Sequence, residues 1–86
     1  MYSVRLVKKA AKFFKSVDSS LARRLAKAFE VLEENPHQHP NIKALKGELA
    51  GRYRYRVGDH RIIYRIDDDA AEVIVLLIKH RQDAYE

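Results

Sequence analysis

Two alternating runs on either side of Gly58-Asp59 constrain this chain more than any other feature. Tyr53-Arg54-Tyr55-Arg56-Val57 alternates aromatic or apolar residues with arginine, and His60 to Ile66 alternates again. A Gly-Asp pair between two period-two runs marks a tight β-hairpin, because glycine adopts the positive φ that such turns require. With Gly58 and Asp59 as the loop, Val57 faces His60, Arg56 faces Arg61, Tyr55 faces Ile62 and Arg54 faces Ile63. Alternation then places Arg52, Arg54, Arg56, Arg61, Ile63 and Arg65 on one face. Tyr53, Tyr55, Val57, Ile62, Tyr64 and Ile66 take the other, which suits packing against helices.

The charged face carries the functional information. Residues 52–65 hold five arginines, no lysine, and Asp59 as their single acid. Like charges directly opposite one another weaken a sheet, so Arg56 against Arg61 either points into water or holds an anion. Guanidinium is planar, permanently charged and matched to phosphate oxygens. The plainer reading is a solvated face whose arginine stems shield apolar surface. The lack of interleaved acids favours an anionic ligand, as does the net charge of +5. A phosphodiester backbone would fit such a face.

Around the hairpin the chain reads β-α-α-β-β-β. Tyr2 to Leu6 alternates as a short strand, and Lys8 to Val17 shifts to helical spacing through Ala10, Phe13, Phe14 and Val17. Asp18-Ser19-Ser20 interrupts this helix and offers N-cap side chains to a second one. That helix has a stripe of Leu21, Leu25, Ala28, Phe29 and Leu32, and Asn35-Pro36 ends it. Pro36 to Gly51 is loop-like, with a helical turn expected at Ile42–Leu45. Asp67-Asp68-Asp69 makes a turn, and Glu72 to Ile78 is apolar on both faces, as a central strand would be. Lys79 to Glu86 reads as a polar tail. The expected fold is α+β, a helical hairpin on one face of a small, mostly antiparallel twisted sheet, forming a single domain over residues 1–86.

Several function classes fall away. With no cysteine there is no disulfide scaffold, thiolate zinc site or cysteine nucleophile. No apolar run nears the roughly 18 residues that span a membrane, and the N-terminus lacks a secretory core, so a cytoplasmic protein is expected. His37 and His39 lie in a proline-bounded loop without metal-ligand spacing, and the triple aspartate lacks the glycine and later glutamate of a calcium loop. No metal and no cofactor is expected. Lys8 to Lys15 reads as the wet face of a helix. His80, Arg81 and Tyr85 are the remaining candidates, if the tail returns beside the arginine face. His80 brings a pKa near neutrality, and Tyr85 would need strong cationic surroundings to act as a base.

Leu45-Lys46-Gly47, the segment Tyr53 to Tyr64 and the run Ile78-Lys79-His80-Arg81-Gln82-Asp83-Ala84-Tyr85 together resemble the RelE/ParE toxin superfamily, and the RelE branch more than the gyrase-directed ParE branch. The resemblance covers nearly the whole chain. It implies a RelE-like fold and the toxin of a type II toxin-antitoxin system. It also implies a ribosome-dependent endoribonuclease that cuts mRNA in the A site by attack of a ribose 2′-OH on the adjacent phosphate. The partners it implies are the ribosome, mRNA and a cognate acidic RelB-like antitoxin that joins the toxin in a hetero-oligomer.

By position, Arg61 would hold the scissile phosphate, Arg54 and Arg56 would fill two basic positions of the preceding strand, and Tyr85 would align the nucleotide. Arg52, Arg65, Lys46 and Lys79 are further candidates for RNA contact. Well-studied relatives carry lysines where Arg54 and Arg56 stand, and arginine cannot serve as a general base. Proton transfer would then pass to His80 or Tyr85, with Arg81 stabilising transition-state charge. Lys79, His80 and Arg81 all remain open for the C-terminal basic role. The competing readings are a ParE-like gyrase inhibitor, a decayed toxin that only binds its antitoxin, and a non-toxic nucleic-acid-binding domain.

Overall fold

The computed structural model describes residues 1–80. Strand β1 (Ser3–Leu6) leads into helices α1 (Lys8–Ser16) and α2 (Ser19–Glu34). Strand β2 (Ile42–Ala44) follows, then a 3-10 turn at Gly47–Leu49, and strands β3 (Tyr53–Val57), β4 (His60–Asp67) and β5 (Glu72–His80). The sheet runs in the order β1-β5-β4-β3-β2, with β1 parallel to β5 and every other pairing antiparallel.

Local chemistry explains the helices. The Asp18 carboxylate accepts from the Leu21 amide at 2.8 Å and caps α2. Residue 17 has extended backbone, so α1 stops one residue before the expected Val17. Phe14 and Phe29 meet edge to face at 5.5 Å and tie the two helices together. Ala10, Leu25, Ala28 and Leu32 cluster with Tyr55, Val57, Ile62, Tyr64, Val73, Val75 and Ile78, so one face of the sheet carries both helices. Tyr64 is fully buried there, and its hydroxyl donates to the Pro36 carbonyl at 2.7 Å. Burial and the neighbouring Tyr53 and Tyr55 push its pKa far above the ordinary phenol value.

At the opposite end of the core, three segments meet through polar groups. The Tyr2 hydroxyl donates to the Asp68 carboxylate at 2.6 Å, and the His37 ring lies 3.2 Å from the same carboxylate. Those bonds join β1, the segment after α2 and the β4–β5 turn. They also hold the Asp68 carboxyl below its usual value, the Tyr2 hydrogen bond being the largest cause.

The hairpin register is the expected one: Val57↔His60, Arg56↔Arg61, Tyr55↔Ile62 and Arg54↔Ile63. Two expectations about neighbouring segments are corrected. Residues 42–44 form β2 rather than a helical turn, because they satisfy the outer edge of β3 through Ile42↔Tyr55, Lys43↔Arg54 and Ala44↔Tyr53. The helical turn comes later, at Gly47–Leu49. The last strand does not stop at Ile78. Lys79 and His80 pair with Arg61 and His60 and so belong to β5, not to a polar tail.

A bulge sets the phase of that extension. Tyr64 pairs with Val75 but Ile63 pairs with Leu77, which leaves Leu76 as an extra residue in β5. Strict alternation from Val73 and Val75 would turn Leu77 toward the helices. The inserted residue brings Ile78 there instead, at 3% exposure. It therefore places Lys79 on the opposite face and returns His80 to the helix side.

Candidate nucleic-acid interface

The second face of the sheet is built from the residues that alternate out of the core. Its clearest line crosses three strands: Arg56 on β3, Arg61 on β4 and Lys79 on β5 stand directly opposite one another. A second line holds Lys43, Arg54, Ile63 and Leu77, and a third holds Arg65, Ile74 and Arg5. Ile63 and Ile74 are 5% and 2% exposed, yet neither belongs to the cluster that holds the helices. This face is thus an apolar floor beneath a cationic rim. Its acids, Glu72 and Asp67, share the row of Ser3, and Glu72 is engaged by Arg5 at 3.3 Å.

Arg61 differs from its neighbours. It is 8% exposed, the one buried charged residue among the described residues, and its guanidinium donates weakly to the His60 carbonyl at 3.5 Å. Its place between Arg56 and Lys79 concentrates three cationic side chains in one row across the sheet. Arg54 is half-buried and donates to the Asn41 carbonyl at 3.2 Å, which fixes its stem against the β2 edge. Arg56 and Arg65 are exposed.

The remaining sequence candidates separate in space. Arg52 is exposed just ahead of β3, and Lys46 is exposed at the start of the 3-10 turn. Backbone bonds from Leu45 to Arg52 and from Arg52 to Leu49 hold that connection together. His80 does not join the arginine face. The Leu76 bulge puts it on the helix side, where its ring meets His60 at 5.2 Å and His60 in turn meets Phe13 at 6.1 Å. Of the residues left open for the C-terminal basic role, Lys79 stands in the row with Arg61 and His80 does not. Arg81 and Tyr85 lie outside the described residues.

Sequence reasoning missed Lys43, whose strand is too short to show a period, and Arg24, whose guanidinium lies over the hairpin turn. Gly58 has φ +56°, the left-handed backbone that the turn requires, and the Arg24 guanidinium lies beside it. Arg24, Lys27 and Arg56 border a groove of about 370 Å³ between α2 and β3. Positive charge thus continues around the sheet edge.

Comparison with known proteins accounts for this arrangement. The family described as ParE toxin of type II toxin-antitoxin system, parDE, matches residues 4–85. Toxin RelE of Mycobacterium tuberculosis is 31% identical over 85 residues, which cover 98% of this chain and 86% of that protein. Toxin RelG of the same organism is 46% identical over 43 residues, half of this chain and 49% of its own length. In solved structures, the RelBE2 toxin-antitoxin complex of M. tuberculosis contains a chain of the same fold. It superposes with a TM-score of 0.81 at 32% identity, covering 95% of this chain and 93% of that one. The two-helix, five-strand architecture, the register of its arginine hairpin and these similarities have one reading: the chain belongs to the RelE/ParE family of type II toxin-antitoxin toxins.

Proposed function

We propose that this protein is a ribosome-dependent endoribonuclease that cuts mRNA in the A site. The observation that supports it is the Arg56–Arg61–Lys79 row, three cations opposed across three strands on the face away from the helices. Such a row fits one phosphodiester lying across the strands. Arg61 holds the scissile phosphate and Arg56 neutralises charge as the 2′-OH attacks, leaving a 2′,3′-cyclic phosphate and a free 5′-OH. Arg54, Arg52, Arg65 and Lys46 hold flanking RNA.

The bases narrow with the geometry. Guanidinium cannot accept a proton, and His60 and His80 are on the other side of the sheet. Lys79 is the amine in the row, and proton transfer falls to it or to Tyr85. The ribosome supplies the remaining alignment, so free toxin cuts RNA poorly. Such a toxin works in the cytoplasm, and no described helix is long and apolar enough to cross a membrane. Its cognate partner is an acidic RelB-like antitoxin, by analogy with the RelBE2 complex.

The test is primer extension on a defined message in a reconstituted translation system. Cuts within the A-site codon are expected with wild type. Arg56→Ala should lower the cleavage rate by about 100-fold, as loss of one preorganised charge does, without loss of fold. Arg61→Lys tests the buried position while keeping the charge. A second reading, gyrase inhibition, rests on the ParE description of the matched family. Intact message together with blocked supercoiling would establish it in place of the first. Intact message and intact gyrase would leave an inactive toxin that binds its antitoxin.

A further inference from the structure

The helix side of the β4–β5 pair carries a feature that the RNA face does not use. His60 and His80 stand directly opposite each other on adjacent strands, twenty residues apart in sequence. Their ring centroids are 5.2 Å apart with planes at 87°. A metal ion bound to an imidazole nitrogen at about 2.0–2.1 Å lies about 3.2 Å from the ring centre. Two such rings at a tetrahedral angle have centres separated by about 5.2 Å, so this edge-to-face pair already has the spacing that a shared ion would need. Opposed strand positions hold the two rings on the same side of the sheet before any ion arrives, so little chain entropy is lost on binding.

The His60 ring is half-buried beside Phe13, with 6.1 Å between ring centroids, which fixes its place on the strand. His80 is exposed, which leaves room for water to complete the coordination sphere. Two nitrogen donors without a carboxylate select late first-row ions over magnesium or calcium.

We propose that His60 and His80 form a cross-strand chelate for a divalent ion of the zinc, nickel or copper class, completed by water. The ion would clamp β4 to β5 where β4 begins, beside the Gly58-Asp59 turn. It would stabilise the native pairing because the unfolded chain lacks the preset geometry.

Zinc is the probe. The chelator-treated full-length chain is titrated with Zn²⁺ by calorimetry at about pH 7.5, where imidazole is largely deprotonated. Wild type should bind one ion, and His60→Ala and His80→Ala should each bind more than about tenfold more weakly, since losing even an outer partner costs 10–100-fold. His37→Ala and His39→Ala should bind as wild type does. Failure of wild type to bind at millimolar zinc, binding that survives His80→Ala, or loss in a loop variant would each overturn the site. Because His60→Ala removes a half-buried ring, Cu²⁺ electron paramagnetic resonance on the unmutated chain gives a second reading. Couplings to two imidazole nitrogens support the chelate, and coupling to one sinks it.

Discussion

The two faces of this sheet are made from alternate residues of the same strands, yet they obey opposite rules. The helix-covered face holds Tyr55, Val57, Ile62, Tyr64, Val73, Val75 and Ile78, each no more than 7% exposed. The other holds Lys43, Arg54, Arg56, Arg61, Arg65 and Lys79 around Ile63 and Ile74. Stability is concentrated in the first, where apolar area leaves water. On the second, like charges oppose one another and weaken the sheet. A one-residue shift in phase would exchange the two sets, so the device that controls phase should matter most.

That device is the Leu76 bulge. Inserting one alanine between Leu77 and Ile78 adds a second one-residue shift, turns Ile78 out of the core and drives Lys79 into it. Losing a buried isoleucine and burying an amine together cost about 4 kcal/mol or more, a large share of the stability of a domain this size. The expected result is loss of the cooperative thermal transition. A cooperative melt near the wild-type midpoint would mean that the β4–β5 register slips to absorb the insertion, and the two faces would then be less strictly separated than the structure indicates.

A subtler probe of the covered face is Tyr64→Phe. The substitution keeps the ring but removes the donor to the Pro36 carbonyl, a bond of 2.7 Å at a fully buried residue. Leaving that carbonyl unpaired costs about 1–3 kcal/mol. Urea denaturation should show a lower midpoint with an unchanged slope. An unchanged midpoint would show that water reaches Pro36 and that this edge of the core is wetter than its geometry implies.

His60 sits where the covered face meets its polar end and gives a smaller, pH-dependent effect. Its pKa is lowered in the fold, chiefly by burial, then by His80 and Arg24, against Asp59. The unfolded chain therefore binds more protons than the native one as pH falls toward and below the ordinary value near 6.5. Stability should be full above that value and decline on acidification through it. In chelator-containing buffer, the difference in melting temperature between about pH 7.5 and about pH 5.5 should shrink in His60→Gln, which cannot titrate. An equal difference in both proteins would assign the acid sensitivity to other groups.

The legible parts of this molecule were those whose signals are local. Gly58-Asp59 and the alternation beside it fixed the hairpin register pair by pair, and Asp18 announced the start of α2. Strand β2 was not legible because three residues carry no period, and its identity comes from the β3 edge it completes. The bulge was hidden for a different reason. Residues 73–78 are apolar without exception, so the sequence holds no phase to read, and the faces of Lys79 and His80 hang on that phase. Alternation therefore put Arg54, Arg56 and Arg61 on the face where the sheet carries them, while His80 lies on the other side from the one expected. The burial of Arg61 was also invisible, since alternation distinguishes faces but not depth.

Arg56→Ala should have the smallest effect on stability, and it makes the sharpest cut between the two faces. Arg56 is exposed and stands opposite Arg61, so its removal should change stability by less than about 0.5 kcal/mol, with relief of repulsion offsetting lost stem packing. Affinity for a single-stranded RNA oligonucleotide should nevertheless fall, and the slope of log affinity against log salt should flatten by about 0.7, the loss of one phosphate contact. A destabilised variant with unaltered salt dependence would reverse the assignment and make Arg56 part of the scaffold. An unchanged fold with a flatter salt slope would place the arginine on the face that stability does not need, as a sheet with one packed side and one charged side requires.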